Sequence, residues 1–169
     1  MQSIIELPGK QIVLKRNEFL LSANRTDTNI YFIESGSLKI SIRDQDEEQI
    51  IRLGYQSNLL VALDSFLTHQ PSAFYIQAIK KTTLKIITRE ALTTFLNTDS
   101  EHQVLWNKIL EDLVLQQMER EIDLLTTSPK ERYLRVLKRS PRLFQEIPGK
   151  YIANYLRMSA ETLSRLQKS

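Results

Sequence analysis

Cysteine is absent from the 169 residues. That excludes disulfides, iron–sulfur clusters and thiolate zinc sites. Histidine occurs only as His69 and His102, in a loop and near the start of a long helix. Both read as surface residues, so no metal site and no haem is expected. No apolar run is long enough to span a bilayer, so no membrane partner is expected. The start, MQSIIELPGK, lacks a basic segment followed by an apolar core and is not a secretory signal. Cytoplasm is the expected compartment. G-x-S-x-G, Walker and Rossmann patterns are missing, and no other catalytic constellation is visible. The chain reads as a binding protein, not an enzyme.

What is present is unevenly placed. The hydrophobic fraction of 41% and charged fraction of 25% are those of a soluble globular protein. Residues 1–100 are electrically neutral, residues 101–125 carry a net −4, and residues 126–169 a net +7. A basic last quarter suits a polyanionic partner, or is simply a solvated surface. Asp44, Asp46, Glu47 and Glu48 cluster in an expected hairpin loop and read as solvated charge.

Residues 10–88 carry strand patterns. Ile12 and Leu14 alternate with polar neighbours, as do Leu38, Ile40 and Ile42, then Ile50, then Phe74, Ile76 and Ala78, then Leu84 and Ile86. Short period-two runs broken by turn residues predict an antiparallel sandwich or barrel. Gly36 marks a hairpin turn, and Asp64–Leu67 one helical turn. From Arg89 the period becomes helical. Asp99-Ser100-Glu101 opens a helix that runs to Leu125, with an apolar stripe at Trp106, Ile109, Leu110, Leu113 and Gln117. That stripe either packs on its own domain or forms a seam with a second copy. The length of the helix favours the second copy.

Ser128-Pro129-Lys130-Glu131 is a capping box with proline at the first helical position. Ser140-Pro141 ends that helix, and Pro148 begins the next. In the tail YIANYLRMSAETLSRLQKS, Ile152, Ala153, Leu156, Leu163 and Leu166 are spaced to face inward from two short helices. Such a pair is a helix-turn-helix, a motif also found without nucleic acid. The DNA-binding version would expose Ala160, Glu161, Ser164, Arg165 and Lys168 to the major groove. Arg165 could donate twice to a guanine edge, and Glu161 could accept from a cytosine amino group. Lys150, Tyr151, Ser159 and Thr162 are placed to reach phosphates.

YIANYLRMSAETLSRLQK resembles the helix-turn-helix of the bacterial Crp/Fnr transcription regulators. KERYLRVLKRSPRLFQEIPGKYIA, YFIESGSLKI and LGYQSNLLVALDSFLTHQPSAFYIQAI resemble the same family in the same order, so the likeness covers nearly the whole chain. It implies an α+β chain in three parts. Residues 1–98 would be a cyclic-nucleotide-binding-like double-stranded β-roll, 99–127 a long dimerisation helix and hinge, and 128–169 a small all-α DNA reader. The implied partners are double-stranded DNA, a second copy of the chain and RNA polymerase, with an unidentified small-molecule effector.

The resemblance is incomplete in three places. Where cyclic-AMP-responsive members read bases with an Arg-Glu pair and a further Arg, this chain has Ala160, Glu161 and Arg165. Only Gln167, Lys168 and Ser169 follow Leu166, so a wingless reader is expected. The phosphate cassette is degenerate. Its Gly-Glu-Leu falls on Val61, Ala62 and Leu63, its arginine on Ser72 before Ala73, and another frequent glycine on Ser57. A buried phosphate needs a compensating cation, and no arginine lies between Arg52 and Arg89. Cyclic AMP and cyclic GMP are therefore not expected as ligands. The rival reading is a β-roll ligand-binding or protein-interaction module whose truncated tail no longer reads DNA.

Overall fold

A computed structural model describes residues 2–45 and 47–168, so Met1, Ser169 and the loop acid Asp46 lie outside the described residues. A single-turn helix α1 (Gln2–Ile5) precedes the strands β1 (Lys10–Leu14), β2 (Phe19–Leu21), β3 (Ile30–Ser35), β4 (Ser37–Asp44), β5 (Glu47–Tyr55) and β6 (Leu59–Leu60). Helix α2 (Leu63–Thr68) interrupts them before β7 (Tyr75–Ala78) and β8 (Thr82–Ile87). The strands form two four-stranded antiparallel sheets, in the orders β1-β8-β3-β6 and β2-β7-β4-β5. This is a jelly-roll-like β-roll.

The alternating residues explain the roll. Leu14, Ile33, Leu38, Ile40, Ile76, Ala78 and Leu84 point inward from both sheets and share one core. Their neighbours alternate to the opposite face, as a period-two strand requires, and on β4 that face is itself buried at Ser37, Lys39 and Ser41. Gly36 turns the chain between β3 and β4 at φ +93°, where a Cβ would lie 2.5 Å from the Lys81 carbonyl oxygen. Only glycine fits that corner.

The helices follow as α3 (Arg89–Thr98), α4 (Ser100–Leu125), α5 (Pro129–Arg139), α6 (Leu143–Glu146), α7 (Gly149–Tyr155) and α8 (Ala160–Lys168). Caps set their starts. Asp99 accepts from the Glu101 amide at 2.9 Å, and Ser128 from the Glu131 amide at 3.3 Å. Ser159 accepts from the Thr162 amide at 3.1 Å. Each satisfies an amide the helix leaves unpaired. Over its 26 residues α4 extends about 39 Å.

Two further cores join the helices to the roll. Ile4, Ile30, Phe66, Ile87 and Leu92 take up Trp106 and Ile109 from α4. Ile50, Leu53 and Ile79 of the roll share a core with Val136, Leu143, Ile147, Ile152, Ala153, Leu156 and Leu163. The carboxyl-terminal helices are thus seated on the outer face of β5.

Candidate functional site

The tail helices are joined by a tight turn. The Arg157 amide donates to the Asn154 carbonyl and the Met158 amide to the Ala153 carbonyl, both at 3.0 Å. With Arg157 at φ +54°, this is a Schellman motif whose left-handed position holds a non-glycine residue. Ile152, Ala153, Leu156 and Leu163 are buried beneath the turn and Leu166 is half-buried. On the other side Ala160, Glu161, Ser164, Arg165 and Lys168 are all exposed, a polar face at helical pitch. The amide of Glu161 itself, then the Ser159 hydroxyl, hold the Glu161 carboxyl below its usual value. Glu161 is therefore an acceptor at neutral pH.

The four residues expected near phosphates sit differently from one another. Lys150 is exposed, with its ammonium 4.8 Å from the Tyr151 ring centre. Tyr151 is half-buried and also meets Lys39 of β4 at 5.3 Å, so its ring helps seat α7 on the roll. Ser159 is engaged as the α8 cap, with its hydroxyl 3.1 Å from that of Thr162. The Asn154 side chain completes the seat. Its Oδ1 accepts from the Ile50 amide at 2.8 Å, and its Nδ2 donates to the Glu48 carbonyl at 2.8 Å. It thus satisfies both backbone groups as a neighbouring strand would.

The basic last quarter is partly neutralised by the acidic segment before it. Asp123 of α4 is fully buried. Arg135 Nε lies 3.0 Å from its Oδ1, and Arg139 Nη2 pairs with its Oδ2. Glu119 takes Arg135 at 2.8 Å and Arg139 at 3.2 Å. Among the described residues, Lys130, Arg132, Lys138, Lys150, Arg157, Arg165 and Lys168 of this quarter have no ion-pair partner. Neither Asp123 nor its arginines stood out in the sequence, where the basic block read as a surface for a polyanion or for solvent.

The expected seam of α4 divides between two faces. Trp106 and Ile109 pack inside the chain, Trp106 at 5.9 Å from the Phe66 ring. Leu110 and Leu113 are half-buried and Gln117 is exposed. The large apolar residues left exposed are instead Val104, Val114, Leu115, Met118, Ile122, Leu124 and Leu125. Among them Leu115, Met118, Ile122 and Leu125 follow the three-four-three spacing of a helix seam.

In the degenerate cassette, Val61 and Leu63 are half-buried, Ala62 and Ser72 are buried, and Ala73 is exposed. Ser57 takes φ +71°, so the turn retains a left-handed backbone without glycine. One residue that the sequence reading passed over organises the rest. The Asp64 carboxylate accepts from the Ser65 amide at 2.7 Å, the Ser72 hydroxyl at 2.8 Å and the Ala73 amide at 2.8 Å. Adjacency to the cassette was its only sequence signal. Among the described residues there is no cluster of metal-ligating side chains, and no helix is long and apolar enough to cross a membrane.

A model of the cyclic nucleotide-binding domain matches residues 11–99. The chain belongs to the cyclic nucleotide-binding domain family. No curated protein matches it in sequence. Solved structures share its fold. FixK2 from Bradyrhizobium japonicum is 18% identical with a TM-score of 0.77, over 96% of this chain and 84% of that one. A CooA variant from Carboxydothermus hydrogenoformans is 14% identical with a TM-score of 0.71, over 99% and 78%. The c-di-GMP-responsive global regulator CLP from Xanthomonas campestris is 14% identical with a TM-score of 0.66, over 95% and 85%.

For a cyclic nucleotide to bind at this turn, its phosphate would have to compete with the Asp64 carboxylate for the turn's donors. Millimolar cyclic AMP is therefore expected to leave the melting temperature unchanged. A rise of several degrees would show that the nucleotide displaces Asp64.

Proposed function

We propose that the chain is a DNA-binding transcriptional regulator of the Crp/Fnr type, acting in the cytoplasm as a homodimer on a palindromic site. The observation that carries this reading is α8. It is capped and anchored by Leu163, and it turns Glu161, Ser164, Arg165 and Lys168 to solvent on one face. A helix-turn-helix reader inserts such a face into the major groove. The regulatory role named for CLP supports the same reading. RNA polymerase is a candidate partner. Cyclic AMP and cyclic GMP are not proposed as effectors, and the activity is binding without a reaction.

The second copy would pair along Leu115, Met118, Ile122 and Leu125, all exposed in one chain. This places the seam on a different face from Trp106 and Ile109. Ile122→Glu is expected to weaken self-association roughly a hundredfold, because it buries a charge on the two-fold axis. Sedimentation across a concentration series reads this directly, and an unchanged dimer would remove the seam.

Selection from a randomised duplex pool at several salt concentrations tests DNA reading. The expected product is a palindrome with half-sites about 34–36 Å apart. If no sequence is enriched, the rival interaction-module reading holds. The ion pairs of Arg135 and Arg139 favour that rival, since they remove basic charge from the surface.

A further inference from the structure

A cavity of about 490 Å³ lies where the roll, α4 and the carboxyl-terminal helices meet. Two arginines on its wall are poorly compensated. Arg120 is 8% exposed, and its Nη1 has no hydrogen-bond partner. Its Nη2 donates to the Tyr155 carbonyl, and its guanidinium lies 3.7 Å from the Tyr155 ring centre. Arg52 of β5 donates to Gln116 Oε1 at 2.6 Å. Gln116 and Arg120 stand one turn apart on α4, so the two guanidiniums share one end of the cavity. Among the described residues, neither has a carboxylate within ion-pair distance. Arg139, also on the wall, is held by Asp123 and Glu119. Asp112, the acid in the lining, is exposed.

Burial pushes both Arg52 and Arg120 below the usual arginine value, which an anion beside them would reverse. Away from this end the wall turns apolar, through Leu113 and Ile109 to Trp106. The helical rise puts Trp106 and Arg120 about 21 Å apart along α4. The cavity is cationic at one end, and beyond Gln116 and Gln117 its α4 wall presents Leu113, Ile109 and Trp106 beside the exposed Asp112.

We propose that this cavity binds a medium-chain carboxylic acid, with its carboxylate on Arg52 and Arg120 and its acyl chain along Leu113 and Ile109 toward Trp106. The site shares Ser57 and Val61 with the degenerate cassette, but its lining does not include Asp64 or Ser72. An occupant would tie the roll to the carboxyl-terminal helices. That regulatory consequence rests on the DNA-reading proposal, whereas ligand binding itself does not and is measured without DNA.

Trp106 is the only tryptophan in the chain, so its emission reports the far end of the cavity. Titration of the full chain with decanoate is expected to shift that emission saturably, with one equivalent bound by calorimetry. Decanol, lacking the charge, should bind at least tenfold more weakly. Butyrate should leave Trp106 unmoved. Arg52→Gln and Arg120→Gln should each weaken decanoate at least tenfold while decanol is unaffected. Arg120→Gln also loses the bond to Tyr155, so the acid-versus-alcohol comparison in the unmodified chain and Arg52→Gln decide the matter if it misfolds. Equal binding of acid and alcohol, indifference to Arg52→Gln, or no saturable binding overturns the proposal.

Discussion

Asp123→Ala is expected to destabilise the chain by about 3 kcal/mol, the lower end of the cost of removing one partner from a buried ion pair. The Asp123 carboxylate is completely buried and meets Arg135 and Arg139 at once. The side chains of those arginines keep 37% and 29% exposure, which lets water recover part of the loss. Glu119 is half exposed and remains for both, so Glu119→Ala should cost under about 1 kcal/mol. For a chain of this size the Asp123 loss lowers the melting temperature by roughly 6–12 °C. Urea titration of both variants measures the difference. A cost below about 1 kcal/mol for Asp123→Ala would mean that the α4–α5 junction is held by its apolar contacts alone.

Arg165→Ala is expected to lower affinity for a selected duplex by roughly 10–100-fold and to relax preference at one base pair in each half-site. Arg165 is exposed on α8, with a contact of 3.5 Å to Thr162 Oγ1. It is therefore available for a guanine edge and adds little to the fold. Lys150→Ala, at a position expected near phosphate, provides the contrast. It should weaken all sequences alike and reduce the salt slope by about one. Glu161→Gln should change the preferred base rather than abolish binding, since a glutamine both donates and accepts. If Arg165→Ala behaves like the Lys150 variant, Arg165 touches phosphate and sequence is read elsewhere.

Much of the architecture was legible residue by residue. The alternation around Ile40, Ile76 and Leu84 predicted strands because a pleated sheet buries every second side chain. Asp99, Ser128 and Ser159 marked helix starts because unpaired amides need nearby acceptors. The inward set of the tail was legible because its period matches a helix turn. The α4 stripe was less informative. Its apolar residues occupy two faces, and spacing alone does not say which face meets the roll. Trp106 and Ile109 proved to be internal, while Leu115, Met118, Ile122 and Leu125 stayed outside.

Composition and local pattern thus decided most of the strands and helices, where several of them begin, and that disulfides, iron–sulfur clusters and thiolate zinc sites are excluded. These depend on neighbours within a few positions of the chain. Distant pairings had no such signal. Asp64 closing the Ser72 turn spans eight residues, Asp123 meeting Arg139 spans sixteen, and Asn154 bridging β5 spans more than a hundred. Each is set by how whole elements pack, and packing brings charges and hydrogen-bonding groups together without a periodic trace. The folded chain alone therefore decided that the cassette carries its own anion, that two of the ten basic side chains of the last quarter are neutralised by acids of α4, and that an arginine-ended cavity lies between the roll and the carboxyl-terminal helices.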